Sequence, residues 1–365
     1  MNAHIDETTI AGLRWLVVTG ERNAAFTVLG QYARESITAV QSKMPEREGL
    51  QSFTRSDRGR RILADVVAAT THAYPRYTEE LRALATGATV PYEDLLLANL
   101  RGDIGIDDGT GCTDLAWRGT QSFVAHNEDG APALDGHFML LTLRIEGDLP
   151  VTVQWYPGFL PANTLTVNGA GLVWGINHIQ VTTPIAAPGR HFVARGLQQC
   201  TTLTDAIDYL RSNPSAGGFA YTLGDTRSGR VAVVEAAAGQ VAVRELPPDN
   251  GFEWHTNHIR FMSNPPDQAA AGTATANLGQ REESLARGQV LDSLVPVLEP
   301  DVDWFTQVLT GSPVPTGVHR TAAGTDPLTT LCTTVTNLTD RTILIRNHHG
   351  TTATLTLTEL TAEPH

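Results

Sequence analysis

Cys112 is the residue best placed for chemistry. It lies in DDGTGCTDLAW, directly after a small, flexible Gly-Thr-Gly segment and ahead of a strand-like stretch. A thiolate is a strong nucleophile, and a thiol at a strand start with glycine before it is sterically open to react. Alone, an intracellular cysteine is most often an inert buried side chain, so the neighbours carry the weight. Asp129 follows 17 residues later in His126-Asn127-Glu128-Asp129. Alternation along a strand puts Asn127 and Asp129 on one face and His126 and Glu128 on the other; without a strand the same residues are an acidic turn. Asn177 in GINH and Asn257 in WHTNH each carry an amide N–H₂. Such a neutral donor can be fixed where negative charge develops on oxygen, although an asparagine in either setting also suits a turn or strand edge.

Other groups are less promising. Cys200 ends a helical stretch and Cys332 sits at an alternating strand position in TTLCTTVT, which suits structural roles. Three cysteines so far apart make neither a disulfide framework nor a zinc knuckle. His348 and His349 are adjacent, and neighbours on a strand point to opposite faces, so they make poor joint metal ligands. No His-Glu-x-x-His, phosphate-loop or Gly-x-Gly-x-x-Gly pattern occurs, and neither a metal nor a nucleotide cofactor is expected.

The 26 lysines and arginines face 39 aspartates and glutamates, a formal charge of −13. With no basic run to release counterions or meet anionic lipid, nucleic acid and membrane surfaces are not expected partners. The opening MNAHIDETTIAGL carries acidic residues where a secretory signal has basic ones, and no spanning apolar run occurs, so the expected location is the cytoplasm.

These residues must be held by folded elements, and 365 residues with 41% hydrophobic side chains can bury a sizeable core. Residues 1 to about 104 read as helices, broken at Pro75 and at the turn from Gly87 to Pro91. From about residue 112 short alternating segments predict a large antiparallel sheet system, with helical insertions at GRHFVARGLQQC, TLTDAIDYLRS and EESLARGQVLDSLVPVL. Thr202 and Asp205 suit a helix N-terminal capping box, and residues 263–282 read as an exposed loop. The class is α+β with grouped helices.

Six stretches, in order, carry a family resemblance: YTEELRALATGATVPYEDLLLANLRGDI, GTGCTDLAW, FVAHNEDG, GAGLVWGINH, WHTNHIRF and TTLCTTVTNLTDRTILI, spanning roughly residues 70 to 350. The chain resembles the N-terminal nucleophile hydrolases that contain the acyl-CoA:6-aminopenicillanic acid acyltransferases, and more distantly the choloylglycine hydrolases and penicillin V acylases. The resemblance implies a four-layer αββα sandwich and a precursor that cuts its own Gly111–Cys112 bond. Residues 1–111 would become a helical α chain and 112–365 a β-rich catalytic chain, intertwined as one globular domain that is open to homo-oligomer formation.

By the same resemblance, Cys112 is the nucleophile and its freed amine the base. Asp129 contacts that amine or thiol, Asn257 is the oxyanion asparagine, and Asn177, with Asn127, helps to place the substrate amide. Position 126 departs from the family: the choloylglycine branch has arginine there and the acyltransferases glutamine, against His126. In the simplest alignment His319, in Val318-His319-Arg320, replaces an arginine before the closing strands. The implied activity is hydrolysis of a small N-acyl compound without a cofactor, with acyl transfer to an amine as the alternative. A noncatalytic binding member of the fold is the reading from another class. Trp155, Tyr156 and Phe159 in QWYPGFLP suit an apolar rim.

Overall fold

The computed structural model describes residues 3–106, 111–263, 265–266, 275–324 and 326–362. The chain opens on a hairpin, β1 (His4–Ile10) and β2 (Leu13–Gly20). Ala11 and Gly12 join them with φ of 48° and 73°, a two-residue turn whose twist suits the flanking strands. The expectation of an all-helical first hundred residues is therefore corrected. The hairpin is stabilised by β2 pairing in parallel with a strand far along the chain, a non-local contact that local periodicity does not report.

Helices follow as α1 (Arg22–Tyr32), α2 (Arg34–Lys43), α3 (Arg47–Thr54), α4 (Asp57–Ala73), α5 (Pro75–Ala88) and α6 (Tyr92–Asn99). Pro75 opens α5, and Pro91 precedes α6 with Glu93 and Asp94 in its first turn. A proline at a helix start loses no internal hydrogen bond, and carboxylates there meet the positive end of the dipole. Helices α1 and α5 touch at Gly30 and Gly87, where any side chain would collide with the facing backbone.

The second half runs β3 (Gly111–Arg118), β4 (Ser122–Gly130), β5 (Met139–Ile145), β6 (Val151–Trp155), β7 (Thr166–Asn168) and β8 (Leu172–Ile179), then α7 (Arg190–Leu197) and α8 (Leu203–Ser212). Thr202 caps α8 by accepting from the Asp205 N–H at 3.1 Å. Next come β9 (Gly218–Asp225), β10 (Val231–Ala237), β11 (Gln240–Glu245), β12 (Gly251–His255), α9 (Thr275–Asp292) and α10 (Val302–Thr310). The chain closes with β13 (Thr329–Asn337), β14 (Thr342–Asn347), β15 (Thr352–Thr356) and α11 (Leu357–Thr361). Helix α9 begins inside the stretch expected to be loop, because the Ala, Leu, Gln, Arg and Glu that follow Thr275 are good helix formers. Likewise TLTEL closes as a helix rather than a strand, through the capping box of Thr356 and Glu359.

Among the described residues the strands form two sheets, β1-β2-β5-β6-β7-β8-β9-β10-β11 and β12-β3-β4-β13-β14-β15. Three apolar layers separate four structural ones. Leu16, Phe26, Leu81, Leu141, Trp174 and Phe192 pack helices of the first half, with α7 and α8, on the outside of the larger sheet. Ala116, Val124, Val173, Val231, Leu331 and Ile343 fill the space between the sheets. Leu115, Trp117, Phe123, Leu291, Phe305 and Leu309 pack α9 and α10 on the outside of the smaller sheet. The order is α, β, β, α, an α+β sandwich in which residues on both sides of Gly111 share one core. No helix among the described residues is long and apolar enough to cross a membrane.

Phe305 is fully buried, with its ring 4.9 Å from that of Phe123. Phe305→Ala should cost about 3–5 kcal/mol, read as a lower urea midpoint at unchanged slope.

Candidate active site

Strand pairing decides what Cys112 faces. In the β3–β4 ladder Gly111 lies opposite Asp129, Cys112 opposite Glu128, Thr113 opposite Asn127 and Asp114 opposite His126. Directly paired residues share a face, so Cys112, Asp114, His126 and Glu128 all point between the sheets. There His126 Nδ1 is 2.6 Å from Asp114 Oδ1 and its Nε2 is 2.9 Å from Glu128 Oε2. The Tyr156 hydroxyl donates to Glu128 Oε1 at 2.8 Å. The Cys112 sulfur, a His126 nitrogen and a Glu128 oxygen lie within 4.8 Å of one another. Gly175 on β8 lets this group approach the larger sheet, since a side chain there would collide with Asp114 and His126.

The main chain of Cys112 is held from outside its own ladder. Its N–H donates to Asn257 Oδ1 at 3.1 Å, and its carbonyl accepts from Arg287 Nη1 at 2.6 Å. Arg287, on α9 and 1% exposed, also donates to Thr113 Oγ1 at 2.8 Å and Asn257 Oδ1 at 2.7 Å, while Glu283 accepts from its Nε and Nη2 at 2.6 and 3.0 Å. The loop carrying Asn257 is tied by Glu235, whose carboxylate accepts from the N–H groups of Phe261 and Met262 at 3.0 and 3.2 Å and lies 3.2 Å from His255 Nε2. Asn177 Nδ2 donates to the His255 carbonyl at 2.9 Å, and its buried Oδ1 has no hydrogen-bond partner among the described residues.

The remaining expected residues are distributed less simply. Asn127 and Asp129 do share a face, the one turned away from the Cys112 side chain. Asn127 donates to the Leu309 carbonyl at 2.8 Å and accepts from Thr333 Oγ1 at 2.6 Å, which seats it under α10. The Asp129 carboxylate accepts from Thr330 Oγ1 at 2.7 Å, and it is the Asp129 backbone N–H that reaches the Cys112 sulfur. Arg320, not His319, backs onto Gly111, where an added side chain would strike its guanidinium. Arg320 donates to Glu283 Oε2 at 2.9 Å and to Asp326 Oδ1 at 3.0 Å. The half-buried His319 instead has Arg346 and His348 as electrostatic neighbours. The off-by-one arises because the Arg320 N–H is pinned to Thr330 Oγ1 at 3.0 Å, a register that sequence alone does not set. Sequence reasoning missed Asp114 and Arg287, and it gave Glu128, Tyr156 and Arg320 none of the polar contacts found here. The only signal for Arg287 was its i,i+4 spacing from Glu283, which reads equally well as a solvated helix face.

Burial pushes the Cys112 thiol well above its ordinary range, helped by the Glu128 and Asp129 carboxylates. Burial also lifts Asp129 to about 7, against the pull of Arg320 and Arg287. For His126 burial opposes the charged ring, but Asp114 and Glu128 prevail and raise it to about 10. Both His126 nitrogens are thus committed to carboxylates, and coordination of a metal by Cys112, His126 and Glu128 would have to break one of those bonds. Beside Tyr156 and Asp129 lies a narrow cleft lined by Val40, Met44, Arg101, Leu134, Phe159 and Leu328. Tyr156 and Phe159 therefore line a cleft as expected of an apolar rim, whereas Trp155 is fully buried and donates to the Phe159 carbonyl at 2.8 Å.

The His126 charge has a consequence for stability. A histidine raised from about 6.5 when unfolded to about 10 when folded stabilises fully below pH 6.5, and the gain is lost as pH rises through 10. Urea unfolding should accordingly show stability falling across that window by on the order of a few kcal/mol, and His126→Gln should flatten the fall.

The model of the acyl-coenzyme A:6-aminopenicillanic acid acyl-transferase family matches residues 117–351. The matched region takes in β4, Asn177, Asn257, Arg287 and Arg320, and Cys112 lies just ahead of it. Beta-alanyl-dopamine/carcinine hydrolase of Drosophila melanogaster is 26% identical over 193 residues, covering 46% of this chain and 49% of the relative. The chain thus spans about half the length of that curated relative. Among solved structures, two variants of conjugated bile acid hydrolase from Clostridium perfringens give TM-scores of 0.44 and 0.43 at 11% identity, covering 69% of this chain and 95% of theirs. With well over half of its residues in the family match, including Asn257 and Arg287 that hold the Cys112 main chain, the chain belongs to the acyl-coenzyme A:6-aminopenicillanic acid acyl-transferase family.

Proposed function

We propose that this chain is a self-processing N-terminal-nucleophile amidohydrolase that cleaves a small N-acyl amine through an acyl-enzyme on Cys112. One observation carries the reading. Polar side chains from two other elements grip both the N–H and the carbonyl of Cys112, a provision that an inert core cysteine does not need.

In processing, the Cys112 sulfur would attack the carbonyl of Gly111, a residue with no side chain of its own to hinder approach. The peptide C–N bond breaks with a proton passing to nitrogen, and water hydrolyses the resulting thioester. An amide nitrogen has no basic lone pair, but the α-amine so released has an ordinary pKa of about 7.7–8.0 and can take the thiol proton at neutral pH. Asn257 Oδ1, already the acceptor for that nitrogen, would orient the amine. The Asn257 N–H₂ donates to the His178 carbonyl at 3.2 Å and would exchange that bond for the oxyanion. The Asn177 Oδ1 would accept from a substrate N–H. The amine product leaves protonated, and water then releases the acid.

Hydrolysis is favoured over transfer because it needs no second binding site, and the sequence carries no run of basic residues of the kind that would favour coenzyme A. The hydrolase named among the relatives acts on the same side of that choice. Transfer to an amine would pass through the same acyl-enzyme.

Intact-mass analysis should find wild-type protein in two fragments divided before Cys112, and Cys112→Ala as one 39.3 kDa chain. An uncut wild-type chain that also ignores thiol reagents would sink the proposal. On processed protein, Asn257→Ala should lower kcat by about 10²–10³ when released amine is measured across N-acyl amines and N-acyl amino acids.

A further inference from the structure

His348 and His349 are not on opposite faces of a strand. Strand β14 ends at Asn347, and the following turn, with Gly350 at φ 84°, releases both histidines from strand alternation. Their rings stand 5.1 Å apart at 62°, and His349 Nε2 is 3.1 Å from Asp135 Oδ2. One ligand atom from each of Asp135, His348 and His349 lies within 4.8 Å of the others.

We propose that Asp135, His348 and His349 form a surface site for a divalent transition-metal ion of the zinc class. Two imidazoles and a carboxylate suit zinc and its neighbours rather than magnesium or calcium, and three protein ligands leave a position for water. A second observation supports ligation. His348 Nδ1 is 3.1 Å from the Thr330 carbonyl and 3.1 Å from Thr329 Oγ1. An N–H donated to a backbone carbonyl is the usual support of a metal-bound imidazole, because it fixes the ring and leaves the other nitrogen with its lone pair. Zinc sits about 2.0–2.1 Å from nitrogen and about 2.0–2.2 Å from oxygen, so closure asks only for small rotations of side chains that are already partly exposed.

The position gives the site a consequence. Asp135 follows the short 3₁₀ turn Pro132–Leu134, and Leu134 lines the cleft beside Tyr156. His348 is bonded to Thr329 and Thr330, next to Leu328 on another part of the same cleft. A bound ion would therefore cross-link two walls of the cleft at its rim.

The test is calorimetric titration of the EDTA-dialysed full chain with ZnCl₂, and with MgCl₂ as a contrast. Saturable binding of one equivalent of Zn²⁺ and none of Mg²⁺ is expected. His348→Ala, His349→Ala and Asp135→Asn should each weaken binding by at least about tenfold, while His137→Ala should not. His349→Ala and Asp135→Asn, whose side chains are exposed, should melt like the wild type without metal. Hydrogen exchange over residues 131–138 and 348–350 should slow when Zn²⁺ is added. Absence of saturable Zn²⁺ binding, or binding unchanged in both histidine variants, overturns the proposal.

Discussion

The arrangement around Cys112 depends on one buried cation. Arg287 uses all five of its N–H donors, on the Cys112 carbonyl, Thr113, Asn257 and the two oxygens of Glu283. A guanidinium can be buried only if its donors are satisfied and its charge is met, and here those conditions fix where α9 must lie against β3. The same Glu283 holds Arg320, which backs Gly111. The peptide on the N-terminal side of Cys112 and the one on its C-terminal side are thereby positioned by the same ion cluster.

A second buried group of opposite character lies across the strand. Asp114, His126 and Glu128 bring two carboxylates to one imidazolium, and Tyr156 meets the remaining Glu128 oxygen. Sulfur thus lies between an acidic side, which disfavours the thiolate, and an arginine-rich side that grips the main chain. The buried Cys112 sulfur is thereby held as the thiol.

Local rules read correctly wherever the determinant was local. Asn127 and Asp129 share a face because β4 is a regular strand, and Pro75 and Pro91 mark helix starts because proline restricts its own backbone. The same rules failed where the assumed local state was wrong. His348 and His349 fall in a turn, residues from Thr275 onward are helix, and β1 and β2 depend on a partner strand more than a hundred residues away. His319 and Arg320 differ by one register step, which a hydrogen bond to Thr330 decides.

The sequence by itself determined the class of fold and the thiol at the junction between helix-rich and strand-rich halves, since periodicity and turn chemistry are written in neighbouring residues. Only the tertiary structure decided which charges meet that thiol. Arg287 reaches Cys112 across 175 residues and Asn257 across 145, and nothing in a helix's own spacing tells whether an arginine faces water or a strand. Burial makes that choice, because a charge removed from water must find every partner within the fold.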